Sequence, residues 1–209
     1  MRGGGIRIRK VAGLFFAQTA LFVLVILAIC MATPLHIALL RVFEASERSG
    51  FSPQEVEQIA RDMVSVMRGA DREILARWFT ADEVLHMKDV QWLFALGGKL
   101  LLVLAGAALL GLLGGKSPSP REGRAALWTS LLVPLALAVP FAVDFTGMFI
   151  WLHRVAFPDN ELWLMDPRIH RMVVVYSEPF FIAIVAIIGL ACAAAVVPLA
   201  VWSARGKER

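Results

Sequence analysis

Charged residues are scarce in this chain. Asp, Glu, Lys and Arg together make up 18% of its 209 residues, whereas hydrophobic residues make up 58%, and the mean hydropathy is +0.69. Soluble globular domains carry more charge and less apolar sequence than this. The composition therefore excludes an ordinary soluble domain and indicates an integral membrane protein.

The signature motifs of several enzyme classes are also missing. The sequence has no G-x-S-x-G, no H-E-x-x-H and no glycine-rich phosphate loop, so serine hydrolysis, zinc proteolysis and nucleotide chemistry have no signature here. Its two cysteines, Cys30 and Cys192, lie in apolar segments, without the spacing of a zinc site or a disulfide framework. We expect no metal and no cofactor, and any chemistry should depend on His and Asp side chains.

Long apolar segments are what the chain does contain. Four of them reach the roughly 20 residues needed to cross the hydrocarbon core of a bilayer, and little sequence remains for a soluble domain. We predict an all-α integral membrane protein with one membrane domain, residues 1–209. The predicted spans cover about 11–32, 90–114, 126–150 and 179–202, and the predicted outer loops cover about 33–89 and 151–178.

The first span also has the basic head and apolar stretch of a cleaved signal. The segment Leu27–Cys30 loosely resembles a lipoprotein processing site, but Ile29 stands where such sites usually have a small residue. We therefore predict that this span is retained in the protein.

Basic residues flank the spans unevenly. Segment 41–89 has seven basic and ten acidic residues, and segment 151–178 has three basic and four acidic. The positive-inside rule predicts that both termini and the middle loop are cytoplasmic and that these two segments are extracytoplasmic. The net charge of +4 then reflects topology and contact with anionic lipid headgroups, not a nucleic-acid partner. The basic residues that decide this are Arg2, Arg7, Arg9, Lys10, Lys116, Arg121, Arg124, Arg205, Lys207 and Arg209.

Two capping boxes predict helices in the first outer loop. Ser52-Pro53-Gln54-Glu55 opens a helix that reaches about Arg68, and Thr80-Ala81-Asp82-Glu83 opens a helix that continues into the second span. That second helix carries His86. The first outer loop is therefore predicted to be helical, and His86 to lie on a rigid element.

His86 shares one predicted helix face with two carboxylates. Asp82, His86 and Asp89 follow each other at i, i+4 and i+7, so one carboxylate is placed to orient the imidazole and raise its basicity. The alternative is a solvated helix start, where acidic residues favour the helix dipole in any case.

The second candidate residue, His153, follows the third predicted span. Asp144 lies in the outer half of that span, where an ionisable residue usually faces a cavity or a partner. Alternatively, Asp144 reaches the headgroup layer or pairs with Lys99 or Arg154. Because His86 and His153 are predicted on the same side of the membrane, the sequence makes a two-histidine site possible.

Two blocks of the sequence resemble one known family. The segment Thr80–Phe94, TADEVLHMKDVQWLF, is similar to the acidic-x-x-HM-x-DV signature of the bacterial lipoprotein intramolecular transacylases (Lit). The segment Phe145–Phe181, with H-x-x-x-F-P followed by W and FF, resembles the second block of that family. The two blocks cover about a quarter of the chain, and their order and spacing are more specific than either motif alone.

The resemblance implies an acyltransferase of the bacterial cytoplasmic membrane with an extracytoplasmic site. Its substrates would be lipoproteins whose N-terminal cysteine carries a diacylglyceryl group, and the sn-2 acyl chain would move to the cysteine α-amino group, leaving a lyso-form lipoprotein. We predict His153 as general base and His86 as the group that holds the proton path or the oxyanion, although these roles are interchangeable. Asp89, Asp82 and Asp144 are predicted as supporting residues.

Two positions depart from the family pattern. Gln91 stands where a lysine commonly follows the DV pair, and His170 stands near a position that is usually acidic. The resemblance also implies an acyl-facing aromatic wall, although packing is the alternative for each of its candidates. These candidates are Phe145, Phe149, Phe157, Trp163, Phe180 and Phe181.

Two other classes fit a four-helix membrane protein with outer histidines. One is a haem-binding electron-transfer protein in which the histidines are axial ligands. The other is a non-catalytic protein whose outer loops contact a partner. Neither class accounts for the HMKDV block.

Overall fold

The structure is a computed structural model that describes residues 7–113 and 117–204. Within those two ranges it contains nine α-helices, one 3-10 helix and no strand, so the prediction of an all-α protein is confirmed there. The 3-10 helix covers Arg72–Leu75, and the α-helices are α1 (Ile8–Cys30), α2 (Thr33–Val42), α3 (Ala45–Ser49), α4 (Pro53–Met67), α5 (Ala81–Leu112), α6 (Pro120–Val143), α7 (Phe145–Ala156), α8 (Met172–Val175) and α9 (Glu178–Ala204).

Three of the described helices, α1, α5 and α9, are long and apolar enough to cross a membrane. Helix α5 has 32 residues and is about 48 Å long, well beyond the roughly 30 Å of a hydrocarbon core. Its first turns, which carry His86, therefore extend past a span that begins near Val90. The count of four spans and the orientation stay predictions, and Gly114, Arg2, Lys116, Arg205, Lys207 and Arg209 lie outside the described residues.

The third predicted span, 126–150, is divided in the structure. Helix α6 ends at Val143 and α7 begins at Phe145. Between them, Asp144 has a non-helical backbone (φ −145°, ψ 88°), and its Oδ1 accepts a hydrogen bond from the backbone N–H of Gly147 at 2.9 Å. A helix N-cap is where aspartate is favoured. Asp144 thus starts a new helix where hydropathy alone predicts a continuous one.

The chain divides into two compact units, whose boundaries fall inside α1, α5 and α9 and between α6 and α7. The first unit comprises residues 1–26, 98–143 and 188–209, and the second comprises 27–97 and 144–187.

In the first unit, basic side chains donate hydrogen bonds to backbone carbonyl groups at the C-terminal end of α5. Arg9 and Lys10 donate to the last carbonyl groups of that helix, which have no intrahelical partner. Arg7 Nε bonds Glu122 Oε1 at 2.9 Å, and the other oxygen of Glu122 accepts from the backbone N–H of Ser119 at 2.8 Å. Charged side chains in this unit therefore hydrogen-bond backbone groups at the ends of helices.

Apolar side chains make up both the centre and the outside of the first unit. Phe22, Cys192 and Val196 form a small buried cluster. Leu102 and Leu190 are each 74% exposed. Exposed apolar surface on this scale marks a face that contacts another apolar medium, as expected for helices surrounded by lipid.

The second unit has the packing of a small helical domain. On α4 six of the eight buried residues recur at i, i+3, i+4, i+7, i+8 and i+11, the pattern of a helix with one apolar face, and α2 packs against that helix. The capping box of Ser52 and Glu55 is present and the helix ends at Met67, so this predicted helix is confirmed. The residues of the buried stripe are Val56, Ile59, Ala60, Met63, Val64 and Met67.

Candidate functional site

The structure brings His86 and His153 together in the second unit. His86 lies in the second turn of α5 and His153 near the end of α7. Their ring centroids are 6.3 Å apart, with a tilt of 32° between the ring planes. No hydrogen bond joins the two rings among the described residues, so each imidazole keeps hydrogen-bonding capacity for a third group.

His86 is held by the start of its helix. The Glu83 carboxylate accepts hydrogen bonds from the Thr80 backbone N–H at 2.7 Å and the Thr80 hydroxyl at 2.8 Å. Helix α5 begins at Ala81, as predicted, and the bond from the Thr80 backbone N–H to the Glu83 carboxylate supplies the glutamate half of the predicted capping box. The other carboxylate oxygen of Glu83 accepts from the backbone N–H of Met172 at 2.6 Å. The fully buried Glu83 carboxylate therefore connects the first turn of α5, which precedes His86, to the start of α8.

His86 is buried, with 7% of the residue exposed. Phe157 packs edge-on against it, with a centroid distance of 5.5 Å. Its Nδ1 is buried and has no hydrogen-bond partner among the described residues. A buried polar atom without a partner is uncommon and costs free energy, so this nitrogen keeps an unused hydrogen-bonding capacity inside the site.

His153 has a hydrogen bond that fixes its tautomer. Its Nδ1 lies 2.7 Å from the carbonyl oxygen of Phe149, one turn earlier on α7. A carbonyl oxygen only accepts, so Nδ1 carries the proton and Nε2 of the neutral ring holds the lone pair. Burial lowers the pKa of His153, and the bond to the Phe149 carbonyl partly opposes that change. The ring is therefore a neutral base at neutral pH.

Aromatic rings enclose the His153 imidazole. The centroid of Phe149 lies 4.0 Å away, that of Trp163 lies 5.4 Å away and that of Phe157 lies 5.8 Å away. These three belong to the predicted aromatic wall, and they lower the polarity around the base. Of the other three, Phe145 packs against Phe149, Phe181 packs against Phe149 and Phe180.

The three predicted supporting carboxylates have different places. Asp89 is half-buried and accepts a hydrogen bond from Asn160 Nδ2 at 3.0 Å. Asp82 is exposed at the start of α5, and Asp144 caps α7 through Gly147. Among the described residues none of the three hydrogen-bonds either histidine. Asp89 connects the helix of His86 to the loop after His153, whereas Asp144 begins the helix that carries His153.

Sequence reasoning missed the long-range partners of this site. Asn160 and Glu83 are 71 and 89 residues away from the groups they bond. In the sequence, Glu83 belongs to a predicted capping box, and Asn160 ends the segment Phe157-Pro158-Asp159-Asn160, whose residue types are typical of a turn. Pairs so far apart leave no local pattern in one sequence.

The two positions that depart from the family pattern have structural contacts. Gln91 donates to the carbonyl oxygens of Val66 at 2.9 Å and Ala70 at 2.8 Å, so it closes the end of α4 without a charge. His170 Nδ1 accepts from the Asp166 backbone N–H at 3.0 Å. That bond closes the turn at 166–170.

Another buried histidine, His36, lies in α2. Its Nε2 bonds the Cys30 carbonyl oxygen at 2.9 Å, and the rings of Tyr176 and Phe180 pack edge-on against it at 6.0 and 5.2 Å. Burial lowers the pKa of His36 and raises that of the Tyr176 phenol. Both groups are therefore neutral at neutral pH.

Comparisons with known proteins agree on one family. The family model of the lipoprotein intramolecular transacylase Lit matches residues 11–181. A search of curated proteins gave no match.

Solved structures of the lipoprotein intramolecular transacylase Lit from Bacillus cereus have the same fold. One is 16% identical, covers 97% of each chain and has a TM-score of 0.83. Two variants of that protein, with a histidine replaced by arginine or by alanine, give TM-scores of 0.79 and 0.75. They are 16% and 15% identical, cover 97% of this chain, and match 93% and 96% of their own chains.

Proposed function

Because the chain belongs to the lipoprotein intramolecular transacylase (Lit) family and is an acyltransferase of lipoproteins, we propose that it moves the sn-2 acyl chain of a diacylglyceryl-cysteine to the α-amino group of the same cysteine, with His86 and His153 as the catalytic residues. The observation that carries this proposal is the facing pair of imidazoles, 6.3 Å apart. Because the chain belongs to this family, we favour this function over the haem-binding and partner-binding alternatives.

The substrate supplies both reacting groups. The α-amine is the nucleophile and the sn-2 ester is the acyl donor, and the glyceryl thioether already tethers them to one another. Holding two groups on one molecule supplies much of the entropy that a bimolecular reaction would lose. The enzyme therefore needs no nucleophile of its own, and its tasks are proton transfer and stabilisation of charge.

His153 fits the role of general base. The α-amine of a peptide is largely protonated near neutral pH, with an ordinary pKa of roughly 8, and it attacks only as the free amine. The bond from Nδ1 to Phe149 leaves the lone pair on Nε2, which takes a proton from the ammonium group. A base whose pKa lies near the working pH is effective in this step.

Acyl transfer then passes through a tetrahedral intermediate. The amine nitrogen bonds to the ester carbonyl carbon, and the carbonyl oxygen becomes an oxyanion. The bond from that carbon to the sn-2 oxygen then breaks, which forms the amide. His153 releases the first proton to water and takes the second proton from the amine nitrogen. That second proton passes through the histidine pair to the departing sn-2 oxygen, which becomes the hydroxyl group of the lyso-form lipid.

His86 fits the second role. Its buried Nδ1 has no partner among the described residues, and its ring faces His153. A donor preorganised in a site of low polarity stabilises a developing oxyanion far better than one in water. We assign His86 to the oxyanion or to the departing sn-2 oxygen. The Asp89–Asn160 bond supports both histidines by joining their elements.

We further propose that the protein lies in the bacterial cytoplasmic membrane with this site on the extracytoplasmic side, where lipoproteins display their lipidated cysteine. The extension of α5 beyond the span supports that position for His86. The apolar ring of Phe149 would then face the acyl chains, and the peptide would leave past Phe157 and Trp163 toward the loops. Membrane lipids surround the spans.

The test is mass spectrometry of the N-terminal lipopeptide of a reporter lipoprotein. The reporter is made in a bacterium that lacks N-acylation, with this chain or with His86→Ala or His153→Ala. We expect the wild type to yield an N-acyl cysteine with a lyso-glyceryl group and both variants to yield the unchanged diacylglyceryl form. His170→Ala is the matched control, since it removes an imidazole that bonds only its own turn.

Two results would contradict the proposal. One is an unchanged diacylglyceryl peptide in the presence of well-expressed wild type. The other is normal transfer by His153→Ala. Equal loss in His170→Ala and the site variants, with equal loss of folded protein, would assign the effect to stability.

A further inference from the structure

A cavity of about 260 Å³ lies in the second unit, between the last turns of α7 and the segment that follows it. It adjoins the histidine pair, because Phe157 and Trp163 line the cavity and also pack against His153. Asn160, another lining residue, accepts from Trp163 Nε1 at 3.2 Å through its carbonyl oxygen and donates to Asp89 at 3.0 Å. The wall shared with the site is thus fixed by hydrogen bonds.

One basic and one acidic side chain also line the cavity. Arg154 follows His153 directly on α7, and Glu161 lies seven residues further along the chain. Both side chains are exposed, and neither forms a hydrogen bond or an ion pair with another of the described residues. The cavity therefore offers guanidinium donors and a carboxylate acceptor beside an aromatic wall.

The parts of a diacylglyceryl lipoprotein differ in what they present to such a cavity. Acyl chains have no polar group, and the glyceryl esters only accept hydrogen bonds. A peptide presents a donor and an acceptor at every residue and adds charged side chains of either sign. An anionic lipid headgroup would be repelled by Glu161. The peptide is the part that matches both charges.

We propose that this cavity binds the first residues of the lipoprotein that follow the lipidated cysteine, with Arg154 favouring acidic and Glu161 favouring basic side chains. This inference rests on the proposed transacylase function. It gives the site a means of selecting among lipoproteins, since the acyl chains and the cysteine are common to all of them. Arg154 and Glu161 are binding residues in this scheme and take no part in proton transfer.

The test uses the purified full-length chain and two diacylglyceryl-cysteine peptides, identical except for Asp or Lys at the residue after the cysteine. kcat/KM for N-acyl transfer is measured for the wild type, Arg154→Glu and Glu161→Lys. Arg168→Glu is the matched control, because Arg168 is an exposed arginine of the same loop that pairs with Asp166 and does not line the cavity.

We expect Arg154→Glu to lower the ratio of kcat/KM for the Asp peptide to that for the Lys peptide, and Glu161→Lys to raise it. Each change should be about threefold to tenfold, as exposed charge pairs allow, and should lie in KM with kcat retained. The control should keep the wild-type ratio. Binding of both peptides, measured directly by calorimetry, should show the same ratios.

The outcomes separate the two proposals. A wild type that binds the peptides with the expected dependence on both charges, but transfers no acyl chain, would contradict the proposed function alone. Ratios that stay constant in both variants, in transfer and in binding, would overturn the cavity assignment and leave the function standing. An equal decrease in kcat/KM for both peptides would also overturn the assignment, since that result indicates a site that does not distinguish the side chain after the cysteine.

Discussion

Two histidines of the second unit, His36 and His86, are alike in burial and differ in surroundings. They are 5% and 7% exposed, and in each the Nδ1 atom has no hydrogen-bond partner among the described residues. His36 bonds the Cys30 carbonyl oxygen and packs against two aromatic rings, whereas His86 faces the imidazole of His153.

This difference separates a structural histidine from a candidate catalytic one. Burial and an unpaired nitrogen occur in both places, so they do not mark the site. What distinguishes His86 is a second imidazole across from it, whose tautomer is set by a backbone bond, and a lining of rings that also faces a cavity. Proton transfer needs both an acceptor and a donor. The ring beside His36 is the Tyr176 phenol, whose raised pKa keeps its proton in place at neutral pH, whereas two imidazoles face each other at His86.

The strongest test of the comparison combines the two site histidines. His86→Ala and His153→Ala should each lower the transfer rate by about 10²-fold to 10⁴-fold, the usual effect of losing a general acid or base. The double variant should be no slower than the slower single variant, because residues that act as a unit are not additive. The measurement is single-turnover N-acyl formation by purified protein. Multiplied losses in the double variant would show that the histidines act independently.

The dependence of kcat on pH is the second test. Burial lowers the pKa of His153, so the ring stays neutral and basic below the ordinary histidine value of about 6.5. Transfer is lost as pH falls through this lowered pKa, by about tenfold per pH unit below it. The acidic limb of the kcat profile should therefore lie below pH 6.5. A limb at or above the ordinary value would remove His153 from the role of base.

Sequence patterns anticipated the parts of this site that depend on local spacing. The capping box at Thr80 predicts the start of α5, and the predicted topology makes a two-histidine site possible by placing His86 and His153 on one side of the membrane. In the structure α5 starts at Ala81, and the two imidazole rings lie 6.3 Å apart. Local spacing works here because a helix start and a helix face involve residues within one or two turns of each other.

Other features depended on contacts that no local pattern contains. Asp89 was expected to orient His86, yet its hydrogen bond goes to Asn160, and Asp144 caps α7. Hydropathy also joined α6 and α7 into one predicted span, because the residues on both sides of Asp144 are apolar. The directions of carboxylate side chains are decided by tertiary packing, which spacing alone does not give.

The third prediction concerns the support of His86. Glu83→Ala removes the acceptor for the Met172 and Thr80 backbone N–H groups and leaves them without a partner. The expected loss is about 1–3 kcal/mol in the free energy of unfolding for a buried group. Thermal unfolding in detergent measures it, with Glu73→Ala as the control, because Glu73 is an exposed glutamate of the same unit. An unchanged melting temperature would show that Glu83 does not secure α5.

The smallest expected effect is that of His36→Phe. This variant tests the structural histidine of the comparison, whereas the earlier variants test the catalytic pair. Phenylalanine keeps the packing against Tyr176 and Phe180 but gives up the hydrogen bond to the Cys30 carbonyl oxygen, which is worth about 0.5–1.5 kcal/mol. The melting temperature should fall slightly while transfer stays within about threefold of the wild type, because the titratable ring beside His36 is Tyr176, and its raised pKa keeps its proton in place at neutral pH. A fall in transfer beyond tenfold at unchanged stability would mean that a buried histidine contributes to the reaction without a facing imidazole. The His86–His153 pair would then no longer distinguish the surroundings of His86 from those of His36.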